Sequence, residues 1–508
     1  MSLIANPILP GCHPDPSICR VGDDYYLVTS TFEYFPGLPV FHSTDLASWN
    51  RIGHVVTREG QLDYAGIASS GGLYAPTIRH HEGLFYLVCT LVDQADASRG
   101  GNFLMTASDP AGPWSDPVWL DADGIDPSIF FDDDGRVWLH GTRLARAQQW
   151  HDQTEVWVRE FDLATMSLTG PEHVIWNGAL LNAVWAEGPH LYKVDGTYYL
   201  LAAEGGTEIH HAVCVARSES VTGPYEGNRA NPVLTHRHLG RRADVVGTGH
   251  ADLFQAVDGS WWAVLLAMRP YGGYHYPLGR ETFLVPVSWE DGWPVFAPGC
   301  GLVPAEVEVP FAHSAPVAPE RDWTSLRGPA SAFAEPEGDG WRLRLQPTTL
   351  TDAGTPSFLG IRQQHSHFHL TATLAGQLLP GEEAGLAIRQ SESDHVRLAV
   401  VGGSDGVLVR AVHRRAGSDV LLGELALAAT DTVRLGIRAR GPRYELCVRV
   451  GDRDVTVATA DARTLDSVAT GGFLGLWLGA YATSNGARTN SVVRVTDVTY
   501  RPLDPADD

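Results

Sequence analysis

The segment HPDPSICRVGDDYYLV, residues 13–28, contains a pattern that recurs four more times along the first half of the chain. Each copy begins with a small or acidic residue before Pro or Asp, continues into a short strand pattern, turns at a glycine and ends in an aromatic strand pattern. Five copies, anchored 51 to 63 residues apart and each with room for about four strands, predict a five-bladed β-propeller. The other copies are YAPTIRHHEGLFYLV (74–88), IDPSIFFDDDGRVWLH (125–140), EGPHLYKVDGTYYLL (187–201) and HADLFQAVDGSWWAVL (250–265).

The composition agrees with an all-β protein. Helical periodicity is nearly absent, and short apolar runs are interrupted by turn formers among the 54 Gly and 32 Pro. The alternative is a set of unrelated hairpins, because Asp-Gly turns beside aromatic residues are common. Unrelated hairpins, however, do not explain the order and even spacing of the copies.

The repeats stop near residue 300, and a different pattern follows. Segments such as WRLRL (341–345) and FHLTATL (368–374) alternate strictly between apolar and polar residues. Strands of period two with one polar face are typical of an antiparallel β-sandwich. We therefore predict a propeller over 1–308, a Pro- and Ala-rich linker over 309–325, and a β-sandwich domain over 326–508.

Charge and cysteine content exclude several protein classes. The 508-residue chain has a formal net charge of −23, so phosphate backbones would repel it and we expect no nucleic-acid partner. No run approaches the ~18 apolar residues of a membrane-spanning helix, so no membrane partner is expected. The six cysteines are scattered and are interpreted as free thiols. The N-terminal residues lack the basic and apolar regions of a signal peptide, which predicts a cytoplasmic protein.

Three carboxylates occupy equivalent positions at the starts of the predicted inner strands: Asp15, Asp126 and Glu187. Inner strands of a propeller line one central channel, so these side chains are expected to face one pocket. Such a trio suits glycosidic bond cleavage, which needs one protonated carboxyl group and one ionised carboxylate. The third group can keep the pKa of the acid above that of the base. The alternative is that each is an ordinary turn residue, because Asp before Pro commonly starts turns.

Four motifs around these positions resemble glycoside hydrolase family 43. They are NPILPGCHPDPS (6–17), GIDPS (124–128), AEGPH (186–190) and GTGHAD (247–252). The resemblance covers the whole first domain, and the second domain resembles the concanavalin-like sandwich of the β-xylosidase branch. It implies that Asp15 is the general base, Asp126 orients the acid and modulates its pKa, and Glu187 is the general acid. It also implies inversion, with base and acid roughly 6.5–9.5 Å apart.

The resemblance implies further substrate-binding residues. His250 matches a channel histidine, which in the family often contacts a calcium ion or water; the alternative is a buried structural histidine. Arg280 matches an arginine that binds sugar hydroxyls near the acid; the alternative is a salt bridge to a neighbouring carboxylate. Phe32 and Tyr74 are expected to be apolar walls for a pyranose, or plain packing. Relatives have Trp at the Tyr74 position, which leaves substrate preference open. Phe473 is expected to reach the pocket rim from the sandwich.

The expected activity is that of an inverting exo-glycosidase that releases single xylose units from the non-reducing end of β-1,4-xylo-oligosaccharides. The partner is a small oligosaccharide and no cofactor is required. A structural Ca²⁺ in the channel, with His250 as a ligand, and a homo-oligomer are both left open. The alternatives are an α-L-arabinofuranosidase or bifunctional enzyme, a retaining enzyme with Asp15 as nucleophile, and a non-catalytic sugar-binding protein.

Overall fold

A computed structural model describes residues 2–310, 322–403, 406–428 and 430–504 of the chain, and strands dominate it. The helical segments of these ranges are single turns, and within them no helix has the length and apolar character that crossing a bilayer requires. All six cysteines are unpaired, and five of them are buried. The helical turns are Ala97–Arg99, Arg237–Leu239, Ala330–Ala332, Ala462–Thr464 and Ser467–Thr470.

The first domain is the predicted five-bladed propeller, in which each repeat supplies the two innermost strands of an antiparallel sheet. Blade 2 has an extra short strand, Gly72–Leu73, that pairs with its second strand. From the channel outwards, blade 1 contains Ser17–Val21, Asp24–Val28, Gly37–Ser43 and Asn50–Val56, and blade 2 contains Thr77–His81, Leu84–Val92, Gly101–Ala107 and Val118–Trp119. Blade 3 contains Ile125–Phe131, Val137–Leu144, Thr154–Asp162 and Ser167–Trp176, and blade 4 contains Glu187–Val194, Thr197–Glu204, Ala212–Ser218 and Glu226–Gly227. Blade 5 contains Val246–Gln255, Trp261–Met268, Glu281–Glu290 and Trp293–Phe296.

Each pair of neighbouring blades encloses its own apolar core, so five separate clusters follow one another around the ring. The last cluster closes the circle between blade 5 and blade 1, where Trp262 and Tyr25 belong to the same buried group. Two strands outside the blades, Ser2–Ala5 and Glu306–Val309, pair with each other and bury Ile4 in this cluster. The two ends of the propeller segment thus close the ring together.

A buried ion pair crosses the channel beneath the strand starts. Asp252, on the innermost strand of blade 5, receives two hydrogen bonds from the Arg79 guanidinium, at 2.8 Å and 3.0 Å. It also accepts from the Ser17 hydroxyl at 2.7 Å. These side chains come from the inner strands of blades 5, 2 and 1, so the contact ties three blades together. A planar guanidinium on a carboxylate is the strongest geometry for such a tie.

The second domain is the predicted antiparallel sandwich, and apolar side chains from both sheets form one continuous core between them. One sheet has seven strands and the other has six. In spatial order, the first contains Ala334–Glu337, Gly340–Arg344, Val492–Pro502, His367–Ala375, Thr432–Arg440, Arg443–Val450 and Arg453–Asp461, and the second contains Ser357–Arg362, Trp477–Thr483, Glu383–Arg389, His395–Val401, Val407–Arg415 and Ser418–Leu427.

The predicted domain boundaries stay a prediction. Most of the predicted linker, residues 311–321, lies outside the described residues. At the end of that range, the short strand Ser325–Leu326 pairs with Tyr34–Phe35 of the propeller. The chain is therefore already attached to the first domain where the second begins.

Buried polar contacts join the two domains. Arg389 of the sandwich donates to Glu33 of the propeller at 3.0 Å, and both side chains are completely buried. Beside them, the rings of Tyr34 and Trp477 stack at a centroid distance of 3.8 Å. Charges that are removed from water are stable only while their partners stay at hydrogen-bonding distance. This contact therefore fixes the orientation of the sandwich at the rim of the channel.

Candidate active site

The three carboxylates stand where the inner strands begin, and the backbone there departs from regular strand geometry. Asp15 and Asp126 have φ values of 54° and 52°, and His250 has 50°. The strand registers shift between Ile125 and Ser128 and between Glu187 and His190, so regular pairing is interrupted at Asp126 and at Glu187. Left-handed backbone is uncommon outside glycine, and bulges re-aim side chains. The local strain turns these side chains into the channel.

The side chains converge on one pocket of about 380 Å³ at the channel mouth. All eight residues singled out from the sequence line it. Its floor is formed by buried residues, and its rim by half-buried or exposed ones. The floor consists of Asp15, Phe32, Ala75, Asp126, Glu187, His250 and Arg280, and the rim of Tyr74, Gln94, Ile125, Trp185, Gly206, Thr207 and Phe473.

Asp15 is held in its ionised form. Its Oδ1 accepts a hydrogen bond from Arg280 Nη1 at 3.0 Å, and its Oδ2 accepts one from the Ser30 hydroxyl at 2.5 Å. His250 Nδ1 lies 3.6 Å from the same Oδ1. Burial alone would raise the pKa of Asp15, but Arg280 and His250 outweigh it together with Ser30, so the pKa is lowered.

Glu187 has the opposite environment. Burial raises its pKa well above the usual value, and the negative charges of Asp126 and Asp15 raise it further. Arg280 opposes this rise without cancelling it. One pocket therefore contains a carboxylate that stays ionised and a carboxyl group that keeps its proton.

Asp126 interacts electrostatically with both Asp15 and Glu187. Burial raises its pKa, and the charge of Asp15 adds to that rise, while His250 and the Gly188 amide oppose it. Its Oδ2 accepts a hydrogen bond at 3.0 Å from the backbone N–H of Gly188, the residue after Glu187. Asp126 thus lies against the backbone that carries Glu187 and contributes negative charge beside its carboxyl group.

His250 lies directly beneath this backbone. A Cβ on Gly188 would stand 2.8 Å from His250 Nε2, so only glycine permits the close approach. Among the described residues, no group of three or more His, Cys, Asp or Glu side chains is arranged to hold a metal ion. Ca²⁺ takes six to eight oxygen ligands, and the floor around His250 offers an imidazole next to a guanidinium-paired carboxylate. This part of the chain does not fit a calcium cage built from protein ligands.

Aromatic rings form one wall of the pocket. Phe32 and Phe473 are stacked with a centroid distance of 6.1 Å, and Tyr74 packs edge-on against both. The Arg280 guanidinium lies 5.6 Å from the Phe32 centroid and 5.5 Å from the Phe473 centroid. Flat apolar rings beside a cation suit a sugar, which has apolar C–H faces and polar hydroxyl edges. The sandwich supplies one of these rings.

Several rim residues were not identified from the sequence, among them Gln94, Trp185 and Thr207. Trp185 has a φ of 50°, which is unusual for a bulky residue. Its backbone N–H donates to Asp152 O at 3.1 Å, and Gly205 N–H donates to Val184 O at 2.9 Å, so its loop is fixed on both sides. In the sequence, the one feature that could have pointed to Trp185 is its aromatic side chain two positions before Glu187.

Comparisons with known proteins agree with this architecture. The model for glycosyl hydrolases family 43 matches residues 4–294, and that for the β-xylosidase C-terminal concanavalin A-like domain matches residues 318–501. A xylosidase/arabinosidase from Butyrivibrio fibrisolvens is 40% identical over 97% of this chain and 98% of its own length. A non-reducing end α-L-arabinofuranosidase from Bacteroides ovatus is 39% identical over 96% of this chain and 92% of its own.

Solved structures give the same result. A xylan β-1,4-xylosidase from Bacillus halodurans superposes with a TM-score of 0.90 at 35% identity, covering 98% of this chain and 99% of the other. Family models cover both domains, and a relative matches nearly the full length of the chain. The chain is therefore a glycoside hydrolase that belongs to glycosyl hydrolases family 43 and carries the concanavalin A-like C-terminal domain.

Proposed function

We propose that this glycoside hydrolase removes single xylose units, with inversion, from the non-reducing end of β-1,4-xylo-oligosaccharides. Asp15 acts as the general base that activates a water molecule, and Glu187 as the general acid that protonates the leaving oxygen. Asp126 positions Glu187 and modulates its pKa. Each role needs a different protonation state at the same pH.

The observation that carries this proposal is the opposite shift of two pKa values in one pocket. The pKa of Asp15 is lowered, because Arg280 and its other partners overcome the effect of burial. The pKa of Glu187 is raised, because burial and two neighbouring carboxylates favour the protonated form. At intermediate pH the pair is therefore in the state that acid–base hydrolysis needs before substrate arrives.

The shape of the pocket supports release of one sugar at a time. Outside the pocket lining, the buried ion pair of Arg79 and Asp252 ties together the inner strands of blades 2 and 5. On one side, Phe473 and its loop from the sandwich close the wall. A chain end can enter such a pocket, whereas a polysaccharide interior cannot pass through it, so the action is expected to be exo.

The leaving sugar has to lie beside Glu187, which gives it a proton. On that side the rim consists of Trp185, on the same loop as Glu187, and Thr207, which follows the strand paired with it. Trp185 is half-buried, so part of its indole is open to a ligand. We assign the second sugar of the substrate to this aromatic surface.

The preferred pentose is tested by comparing kcat/KM on 4-nitrophenyl β-D-xylopyranoside and 4-nitrophenyl α-L-arabinofuranoside. The names of the relatives support both activities, and Tyr74 at the rim favours neither xylose nor arabinose as the released sugar. We expect the xyloside to be the better substrate; a larger value on the arabinoside would favour the second candidate, an α-L-arabinofuranosidase. Xylobiose as the first product from xylotetraose would contradict single-sugar release.

Inversion is tested by proton NMR of the hydrolysis of 4-nitrophenyl β-D-xylopyranoside, because all of its released xylose comes from the cleaved glycoside. An inverting enzyme releases α-xylose first from a β-linkage, and β-xylose appears only by later mutarotation. First formation of β-xylose would instead support a retaining enzyme with Asp15 as nucleophile.

No step of this mechanism uses a metal ion. A Ca²⁺ near His250 would need most of its ligands from water, because the described residues there form no cage. It remains a prediction, which a comparison of kcat/KM before and after chelation with EDTA tests. Cytoplasmic location and self-association likewise remain predictions. Cell fractionation and light scattering of the purified protein test them.

A further inference from the structure

Ser70 occupies an unusual position between the domains. It lies on the connection between blades 1 and 2, is buried, and has a φ of 68°. Its hydroxyl oxygen accepts a hydrogen bond at 2.9 Å from the backbone N–H of Phe473, 403 residues later in the chain. A Cβ on Gly472 would stand 2.5 Å from this oxygen, so the sandwich loop can approach only because that position is glycine.

The carbonyl group of Ser70 holds two more rim residues. Its oxygen accepts from the Tyr74 hydroxyl at 3.0 Å and from Gln94 Nε2 at 3.3 Å. Gln94 also donates to the Tyr74 hydroxyl at 3.2 Å. Phe473, Tyr74 and Gln94 therefore meet at one residue, although they come from two domains and Ser70 itself is not part of the pocket lining.

The buried ion pair between the domains fixes Ser70 in turn. Its backbone N–H donates to Glu33 Oε2 at 3.2 Å, and Glu33 Oε1 accepts from Arg389 at 3.0 Å. The preceding residue, Ser69, donates its hydroxyl to Glu33 Oε1 at 2.8 Å and accepts from Arg389 at 2.8 Å. Non-glycine left-handed backbone persists where its surroundings over-determine it, and here they do.

We infer that Ser70 is a positioning residue, which sets the width of the pocket rim by holding the sandwich loop of Phe473 against Tyr74 and Gln94. The kinetic part of this inference rests on the proposed pentoside hydrolysis. Asp15 and Asp126 have hydrogen-bond partners of their own at Ser30, Arg280 and Gly188. Loss of the Ser70 hydroxyl should therefore weaken substrate binding more than the chemical step.

The variants Ser70→Ala and Ser70→Gly test this on 4-nitrophenyl β-D-xylopyranoside. Both lack the hydroxyl, but glycine also relieves the left-handed strain, so backbone strain and hydrogen bonding are separated. We expect KM to rise about three- to tenfold in both, the range for loss of one hydrogen bond, with kcat within about twofold. The pH profile of kcat should not move.

Ser69→Ala is the matched control, because among the described residues Ser69 hydrogen-bonds to the ion pair and to Glu392 but to no pocket-lining side chain. We expect it to lower thermal stability and leave KM unchanged. An unchanged KM in both Ser70 variants overturns the inference, and so does an equal rise of KM in Ser69→Ala, which would indicate general loosening of the interface.

Hydrogen exchange gives a readout that does not depend on the substrate. The Phe473 amide should exchange about three to ten times faster in Ser70→Ala and Ser70→Gly than in the wild type or Ser69→Ala, as measured by mass spectrometry of a peptide spanning 470–476. Wild-type exchange in the Ser70 variants overturns the inference. A wild-type enzyme inactive on pentosides would refute the proposed function, and the exchange result would still decide the role of Ser70.

Discussion

Arg280 Nη1 lies 3.0 Å from Asp15 Oδ1, although 265 positions separate the two residues in the chain. Asp15 precedes the innermost strand of blade 1, and Arg280 precedes the third strand of blade 5. Closure of the ring brings them together in a buried contact. The pair keeps one carboxylate of the pocket ionised and also places a cation against the aromatic wall.

Arg280→Met is expected to move the pH profile of kcat/KM upward. Without the cation, burial dominates and the pKa of Asp15 rises, so Asp15, the proposed base, is protonated up to a higher pH and the acidic limb shifts to higher pH. The basic limb should also move up, because Arg280 lowers the pKa of Glu187. Arg280→Lys, which retains the charge, should shift less. Unmoved limbs in Arg280→Met would contradict this electrostatic role.

Asp15→Asn and Glu187→Gln should respond differently to the leaving group. Asp15→Asn is expected to lose about a hundred- to ten-thousandfold in kcat/KM on every substrate, because every substrate needs activated water. Glu187→Gln should lose a similar factor on xylobiose but less than about tenfold on 2,4-dinitrophenyl β-D-xyloside, whose leaving group needs no proton. Equal losses of both variants on the dinitrophenyl substrate would show that the roles are wrongly assigned.

Trp185→Ala is expected to lower kcat/KM about three- to tenfold on xylobiose, because the second sugar loses a stacking surface. On β-xylosyl fluoride, which has no second sugar, the rate should stay within about twofold of the wild type. Trp185→Phe keeps an aromatic ring and should recover most of the loss. Equal effects on both substrates would place Trp185 outside the site of the leaving sugar.

Gly188→Ala should inactivate the enzyme, because the new Cβ would stand 2.8 Å from His250 Nε2 at a residue with φ of 54°. The collision displaces the backbone that carries Glu187 and the amide that holds Asp126. Gly196→Ala is the control: its φ is 82°, but nothing lies within 4 Å of the new Cβ. We expect the control to lower stability by about 1 kcal/mol without changing kcat, whereas wild-type activity of Gly188→Ala would contradict the packing argument.

Arg389→Met should lower the free energy of unfolding by about 3 to 5 kcal/mol, because it leaves Glu33 buried without its cation. The exposed pair of Arg410 and Glu424 provides a comparison, and Arg410→Met should cost less than about 1 kcal/mol. Urea unfolding of both variants checks the difference. Equal costs would show that the interdomain pair is not energetically distinct from a surface pair.

Much of the fold could be predicted, because the propeller repeats itself in the sequence. Asp15 and Asp126 immediately precede Pro in their copies, whereas Glu187 lies one position earlier in its own copy, where the strand register matches it with Ile125. Rotation about the propeller axis nevertheless carries all three strand starts to one channel. Their convergence on one pocket follows from that symmetry and required no knowledge of loop structure.

The rim could not be predicted in the same way. Trp185, Gln94 and Thr207 lie outside the quoted repeats, so no symmetry argument places them. Ser70 was missed for a different reason: its contacts with Phe473 and Glu33 join two domains, and nothing in its local sequence indicates them.

Local patterning thus determined the blades, the sandwich and the strand starts that bear the carboxylates, since hydrophobic periodicity and turn residues act over a few positions. The protonation state of each carboxylate was decided only by tertiary structure. Burial and neighbouring charges separate the pKa values of Asp15 and Glu187, and the neighbours responsible are distant in the chain. Electrostatic energy depends on distance in space, which ring closure and domain docking set.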